Sequence, residues 1–194
     1  AVAQEVADRS MTLLRNDRRL LPLLGTRSAR VLSVTFRRPS DLLAGRYLNG
    51  GLRARYPRLV TAEVDVDTPV EVYEALMRRA RSSNLVVVSL HAAVVTASGS
   101  VAVPDEMVDF LNELSGSGTP HIVISFGNPY LISEFPDIQA YLLAWHGTEV
   151  SQRAAVKALF GEIPIQGRSP TRIPPFFQIG DGIQLPPRDT GRDF

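Results

Sequence analysis

Few residue types in this chain can do chemistry, and their spacing narrows the choice further. There are three histidines, His91, His121 and His146, and no cysteine. No histidine has a His or Cys neighbour at metal-ligand spacing, so a metal site is not expected, and disulfide and thiolate chemistry are excluded. Asp65 and Asp67 form a close carboxylate pair of the kind general acid–base catalysis uses. The commoner role for such acids is to precede a helix and favour its dipole, and Asp105 and Glu106 take that reading more firmly. The chain holds no G-x-S-x-G elbow, no P-loop and no complete G-x-G-x-x-G. Gly180-Asp181-Gly182 matches only half of the last, in a proline-rich stretch, and reads as a turn. No cofactor is expected.

The elements that must position these residues alternate regularly. Short apolar runs at 30–36, 59–64, 85–90, 121–126 and 140–145 read as strands. LVVVSL, at 85–90, shows no alternation at all, as expected of a strand covered on both faces. Helices are predicted at 1–14, 40–55, 69–81, 104–115 and 149–160. Thr68, Pro69 and Glu71 have the form of a capping box, and Tyr73, Leu76, Met77 and Ala80 form the apolar face that follows. The order implies an α/β fold with a doubly wound, mostly parallel sheet of about five strands and helices on both faces, flavodoxin-like in arrangement. Residues 1–24 read as a lead-in helix and linker from a preceding domain, and 25–163 as the core. Residues 164–194, rich in proline and glycine, read as a tail over the surface with one or two edge strands near Phe176–Gly180.

In such sheets ligands sit beyond the carboxyl ends of the strands. That edge collects Arg37 and Arg38, Asp65 and Asp67, His91, Gly127–Tyr130 and His146–Thr148. His91 and His146 each follow a strand directly. Gly127, Asn128, Pro129 and Tyr130 read either as a rigid turn with a cis Asn–Pro bond or as a shaped wall facing a ligand. Arg37, His91, Gly127, Asn128, Pro129, Tyr130 and His146 are therefore the candidate substrate-edge or interdomain residues. The long loop 91–103, with Ser98-Gly99-Ser100, offers the one candidate phosphate cradle.

Net charge is +1, from 21 basic and 20 acidic residues. Residues 1–60 hold twelve arginines against four acids, an asymmetry that could mark an acidic partner. The basic residues are arginine except for Lys157, which points to codon bias, and no aromatic-interleaved basic stripe accompanies them. Nucleic acid is not an expected partner. No apolar run approaches the ~18 residues of a membrane span, so no membrane association is expected.

Two longer stretches carry a resemblance. AVAQEVADRSMTLLRNDRRLLPLL, residues 1–24, resembles the segment leading glycoside hydrolase family 3 enzymes out of their catalytic barrel. Residues 121–174, from HIVISFGNPY through LFGEIPIQGRSPTRIP, resemble the closing half of the family's C-terminal α/β sandwich domain. The likeness is to the β-N-acetylhexosaminidase branch, with Ser169 standing where that branch has leucine. The resemblance implies a second domain that braces a catalytic barrel absent from this chain and walls the substrate cleft, with an amino-sugar glycoside bound there. It also implies that the barrel supplies nucleophile and acid/base. In the β-glucosidase branch the acid/base glutamate lies on the loop after the strand resembling LVVVSL. Here that loop, 91–103, holds no carboxylate. An independent small-ligand module and a scaffold domain are the competing readings of the same fold.

Overall fold

The computed structural model describes residues 2–92 and 103–188. Six strands form one sheet: β1 (Thr12–Asn16), β2 (Val31–Phe36), β3 (Leu59–Val64), β4 (Leu85–Leu90), β5 (His121–Ser125) and β6 (Ala140–Leu143). Their order is β1-β6-β5-β4-β2-β3. All neighbours are parallel except β1, which runs antiparallel to β6. The five parallel strands thus follow the flavodoxin-like order, and β1 is added at the far edge.

Five helices cover the sheet: α1 (Val2–Ser10), α2 (Arg46–Arg55), α3 (Val70–Arg81), α4 (Asp105–Gly116) and α5 (Glu149–Leu159). Alternate strand residues serve the two faces. Val86, Val88 and Leu90 join Tyr73, Met77, Met107 and Leu111 from α3 and α4 in one core. Leu85 and Val87 join Ala7, Leu48, Leu52 and Ala155 from α1, α2 and α5 in the other. The helix after β2 and the helix after β4 therefore lie on opposite faces. A crevice between those strands at their carboxyl ends is the consequence.

Several sequence expectations are corrected. The helix predicted at 1–14 ends at Ser10, and the edge strand Thr12–Asn16 follows, a sixth strand beside the five expected. Met11 and Leu13 enter one core and Leu14 the other, a period of two that pairing with β6 imposes. The helix expected from residue 40 starts only at Arg46, because Gly45 has a left-handed backbone at φ 72°. The capping box at α3 does not form: Pro69 is the cap residue without a side-chain bond, and Thr68 hydrogen-bonds Asp65. Among the described residues the cis peptides are Leu21–Pro22 and Pro174–Pro175, so the Asn128–Pro129 bond is trans. Near Phe176–Gly180 the expected edge strand is reduced to a single bridge between Ile173 and Phe177. The Ser98-Gly99-Ser100 cradle lies outside the described residues.

Candidate functional site

The crevice is a cavity of about 450 Å³ at the carboxyl edge, lined from four strand ends by Arg38, Asp41, His91, Phe126, Gly127 and Trp145 and by residues 146–149. That size falls within the range of small-ligand pockets. His91 lies at its base, 5% exposed, with its ring stacked on Phe126 at 4.5 Å. The backbone N–H of Gly45 donates to its Nε2 at 3.1 Å, which places the ring proton on Nδ1. Burial lowers its pKa from 6.5 to about 4, against a weaker opposite pull from Asp41. His91 is therefore a neutral imidazole near neutral pH. Its Nδ1–H is buried and has no partner among the described residues.

Two loops close over this ring, and one side chain joins them. Gln152, fully buried on α5, accepts from the Tyr47 and Leu48 N–H groups at 3.0 and 3.3 Å. Its amide nitrogen donates to the carbonyls of Leu43 and Gly147, both at 2.9 Å. Gln152 thus caps α2 from another helix, where Gly45 has no side chain to do so. Gly45 is required twice, because its φ is positive and because a Cβ there would meet Thr35 Oγ1 at 2.6 Å. Gly147 is required by closeness, since its Cβ would lie 3.0 Å from His91 Nδ1. Trp145 takes a left-handed φ of 63°, an uncommon conformation for a bulky residue, and its Nε1 donates to Ser10 O at 3.0 Å.

The structure divides the sequence candidates. His91, Gly127 and His146 line the cavity. Arg37 does not line it; it pairs with Glu63 at 2.7 Å and donates to the carbonyls of Arg38 and Pro39, so its neighbour Arg38 takes the place at the cavity. Asn128 and Pro129 fold inward, where the Asn128 side chain accepts the Tyr130 N–H at 2.9 Å. The Tyr130 hydroxyl turns to Thr171 at 3.1 Å. Asp65 accepts from the Asp67 N–H and the Thr68 hydroxyl, the local turn that competes with a catalytic pair. His121 is buried at the opposite ends of the strands, bonded to Thr119 and Gln139. Ser169, the departure from the family pattern, is buried and bonded to Asp181 and Thr171.

Gln152, Gly45 and Trp145 were missed from the sequence. Gln152 had a signal: it sits three, four and seven residues before Ala155, Val156 and Leu159, on the buried stripe of α5. Among the described residues the carboxylates at the cavity are Asp41 and Glu149. Glu149 is held below the usual carboxylate range by hydrogen bonds from Arg153 and Tyr47 and by the charges of Arg153 and Arg46. Among the described residues no cluster of three potential metal ligands occurs, and no helix is long and apolar enough to cross a membrane.

An α/β domain of the doubly wound class with its crevice at the strand switch point is what this geometry defines. The glycosyl hydrolase family 3 C-terminal domain model matches residues 11–189, and the chain belongs to that family. Solved structures agree in fold. A fungal multi-domain GH3 β-N-acetylglucosaminidase aligns with TM-score 0.71 and 21% identity over 96% of this chain and 20% of its own. A Listeria innocua β-glucosidase in complex with isofagomine gives 0.68 and 21%, over 86% of this chain and 26% of its own. A GH3 β-N-acetylglucosaminidase from Paenibacillus sp. gives 0.67 and 21%, over 86% and 31%. This chain thus spans less than a third of the length of these structures. A search of curated proteins finds no match.

Proposed function

We propose that this chain is the non-catalytic C-terminal domain of a β-N-acetylhexosaminidase-type family 3 glycosidase, bracing the catalytic barrel and walling the substrate cleft with its carboxyl edge. The observation that carries the reading is the chemistry after β4. Residues 91–103 include no carboxylate, and the titratable group that begins them, His91, is buried and neutral. A proton donor working near neutral pH needs a pKa near that pH, and about 4 leaves His91 almost wholly deprotonated. Glu149, held ionised by Arg153, is a poor acid for the same reason.

Residues 38–43 support the bracing role. Leu43, which lines the cavity, is 49% exposed and its neighbour Leu42 76%, and Val2 and Val6 of α1 are exposed as well. Exposed apolar side chains of this kind suit burial against another domain. The solved neighbours are longer proteins, which is consistent with a barrel elsewhere in the polypeptide.

The test is made in the protein that carries both domains. His91→Ala, and separately a Gly-Ser replacement of residues 94–101, are measured as turnover of an N-acetylglucosaminide and of a glucoside. Turnover number within about tenfold of wild type is expected from both, with the N-acetylglucosaminide the better substrate. A drop of about a thousandfold, the scale of an essential acid/base, would show that this domain does chemistry. A clear preference for the glucoside would overturn the hexosaminidase assignment.

A further inference from the structure

At the edge of the sheet opposite β1, a groove of about 340 Å³ runs between β3 and α3. Leu32, Val60 and Ala62 line it from the sheet, and Val72, Ala75 and Leu76 from the helix. Val72 is 38% exposed and Ala75 is exposed too, on the side of α3 turned away from the buried Tyr73, Leu76, Met77 and Ala80. Among the described residues β3 pairs only with β2, so none of them covers the other side of its backbone.

The charges beside this groove are arranged in a particular way. Glu71 and Arg79 complete its lining, and neither forms an ion pair among the described residues. They are separated by eight residues, roughly 12 Å along the helix. Ala75 lies midway between them, and positions 71, 75 and 79 share one face. Acids occupy the first half of α3 (Glu71, Glu74) and bases the last (Arg78, Arg79, Arg81).

A surface of this kind is complementary to itself after a two-fold rotation. We propose that the groove is an isologous interface between two copies of this chain, with the two α3 helices antiparallel and Ala75 at the axis. In that register Glu71 faces Arg79 of the partner subunit, and the same pair recurs on the other side of the axis. The methyl group of Ala75 lets the helices approach to about 8 Å, the close end of helix packing, and their dipoles oppose. The apolar lining is covered without stranding a charge.

Position in the fold favours a second copy over another part of the same polypeptide. β1, next in the chain to the α1 helix whose exposed valines are noted above, lies at the far edge of the six-stranded sheet. With strands about 4.8 Å apart, that is roughly 24 Å from β3. The exposed leucines proposed above to meet a barrel are at the carboxyl rim, and among the described residues none covers the β3 edge. The interface does not depend on the hexosaminidase reading.

Charge reversal and its rescue test the register. Sedimentation velocity of the full chain at about 100 µM, enough to populate a micromolar contact, is expected to show a reversible dimer. Glu71→Arg alone and Arg79→Glu alone each oppose like charges twice, and each should weaken association about tenfold or more. The double variant restores opposite charges and should return the affinity to within about threefold of wild type. These side chains are exposed, and circular dichroism and melting check that the fold survives.

A second measurement uses the absence of cysteine from the chain. Ala75→Cys should give a disulfide-linked dimer on mild oxidation, whereas Asp109→Cys, at an exposed position of α4, should not. A monomer at every concentration overturns the proposal. So does a dimer that the single reversals leave intact or that the double variant fails to restore. Protection of Ala75→Cys from a thiol reagent in a monomeric full-length protein would show that another segment covers the groove, and would overturn it equally.

Discussion

Replacing Gln152 by methionine keeps the length and apolar stem of the side chain but removes four hydrogen bonds at once. The Tyr47 and Leu48 N–H groups lose their acceptor, and the Leu43 and Gly147 carbonyls lose their donor. A hydrogen bond contributes about 1 kcal/mol net, and a group left buried without a partner costs about 1–3 kcal/mol. Leu48 is fully buried, while Tyr47 and Gly147 are only half-buried and recover part of the loss to water. The expected destabilisation is therefore about 3–5 kcal/mol. For a chain of this size that lowers the melting temperature by about 10 °C. Urea unfolding should show the midpoint falling with the slope unchanged. Amide exchange should accelerate most at residues 43–48 and 145–148, the segments Gln152 joins, while β4 and β5 keep their protection. A loss below about 1 kcal/mol, or faster exchange spread evenly over the chain, would refute the view that Gln152 is the shared cap of the two loops.

Gly45→Ala combines a left-handed φ with a Cβ 2.6 Å from Thr35 Oγ1, so a loss of about 2–4 kcal/mol in denaturant unfolding is expected. Thr35→Ser, which removes the crowding methyl but keeps the hydroxyl, should relieve only a minor part of it. Acid should destabilise the fold through His91. Its pKa falls from 6.5 unfolded to about 4 folded, so the unfolded chain binds the extra proton between those values. The contribution is complete above about pH 6.5 and is lost as pH falls through 4, to a total of about 3 kcal/mol. His121, whose pKa is also lowered by burial, adds in the same direction. Unfolding midpoints measured across this range should fall less steeply in His91→Phe than in wild type, and parallel profiles would contradict the burial argument.

How much could be read without coordinates depended on whether the cause was local. β4 and β5 were legible because an apolar run of β-branched residues has no stable exposed form, and α3 because Tyr73, Leu76, Met77 and Ala80 repeat at helical spacing. The alternation of these elements implied a parallel sheet, a carboxyl edge and the place of His91, Gly127 and His146 on it. Residues 11–14 were misread because Met-Thr-Leu-Leu suits either period, and only pairing with β6 selects the strand. Arg37 and Arg38 are identical in sequence terms. A salt bridge to Glu63 on the neighbouring strand turns one away and leaves the other at the cavity. Gln152 acquires its role from carbonyls and N–H groups more than a hundred residues earlier in the chain, together with that of nearby Gly147. The protonation state of His91 likewise follows from burial beneath two loops and a backbone donor 46 residues away. Composition and periodicity thus determined the layers and their order, because burial of apolar surface depends on the residues of each segment. Tertiary structure alone decided which polar groups meet at the crevice, because hydrogen-bond geometry between distant segments leaves no trace in local spacing.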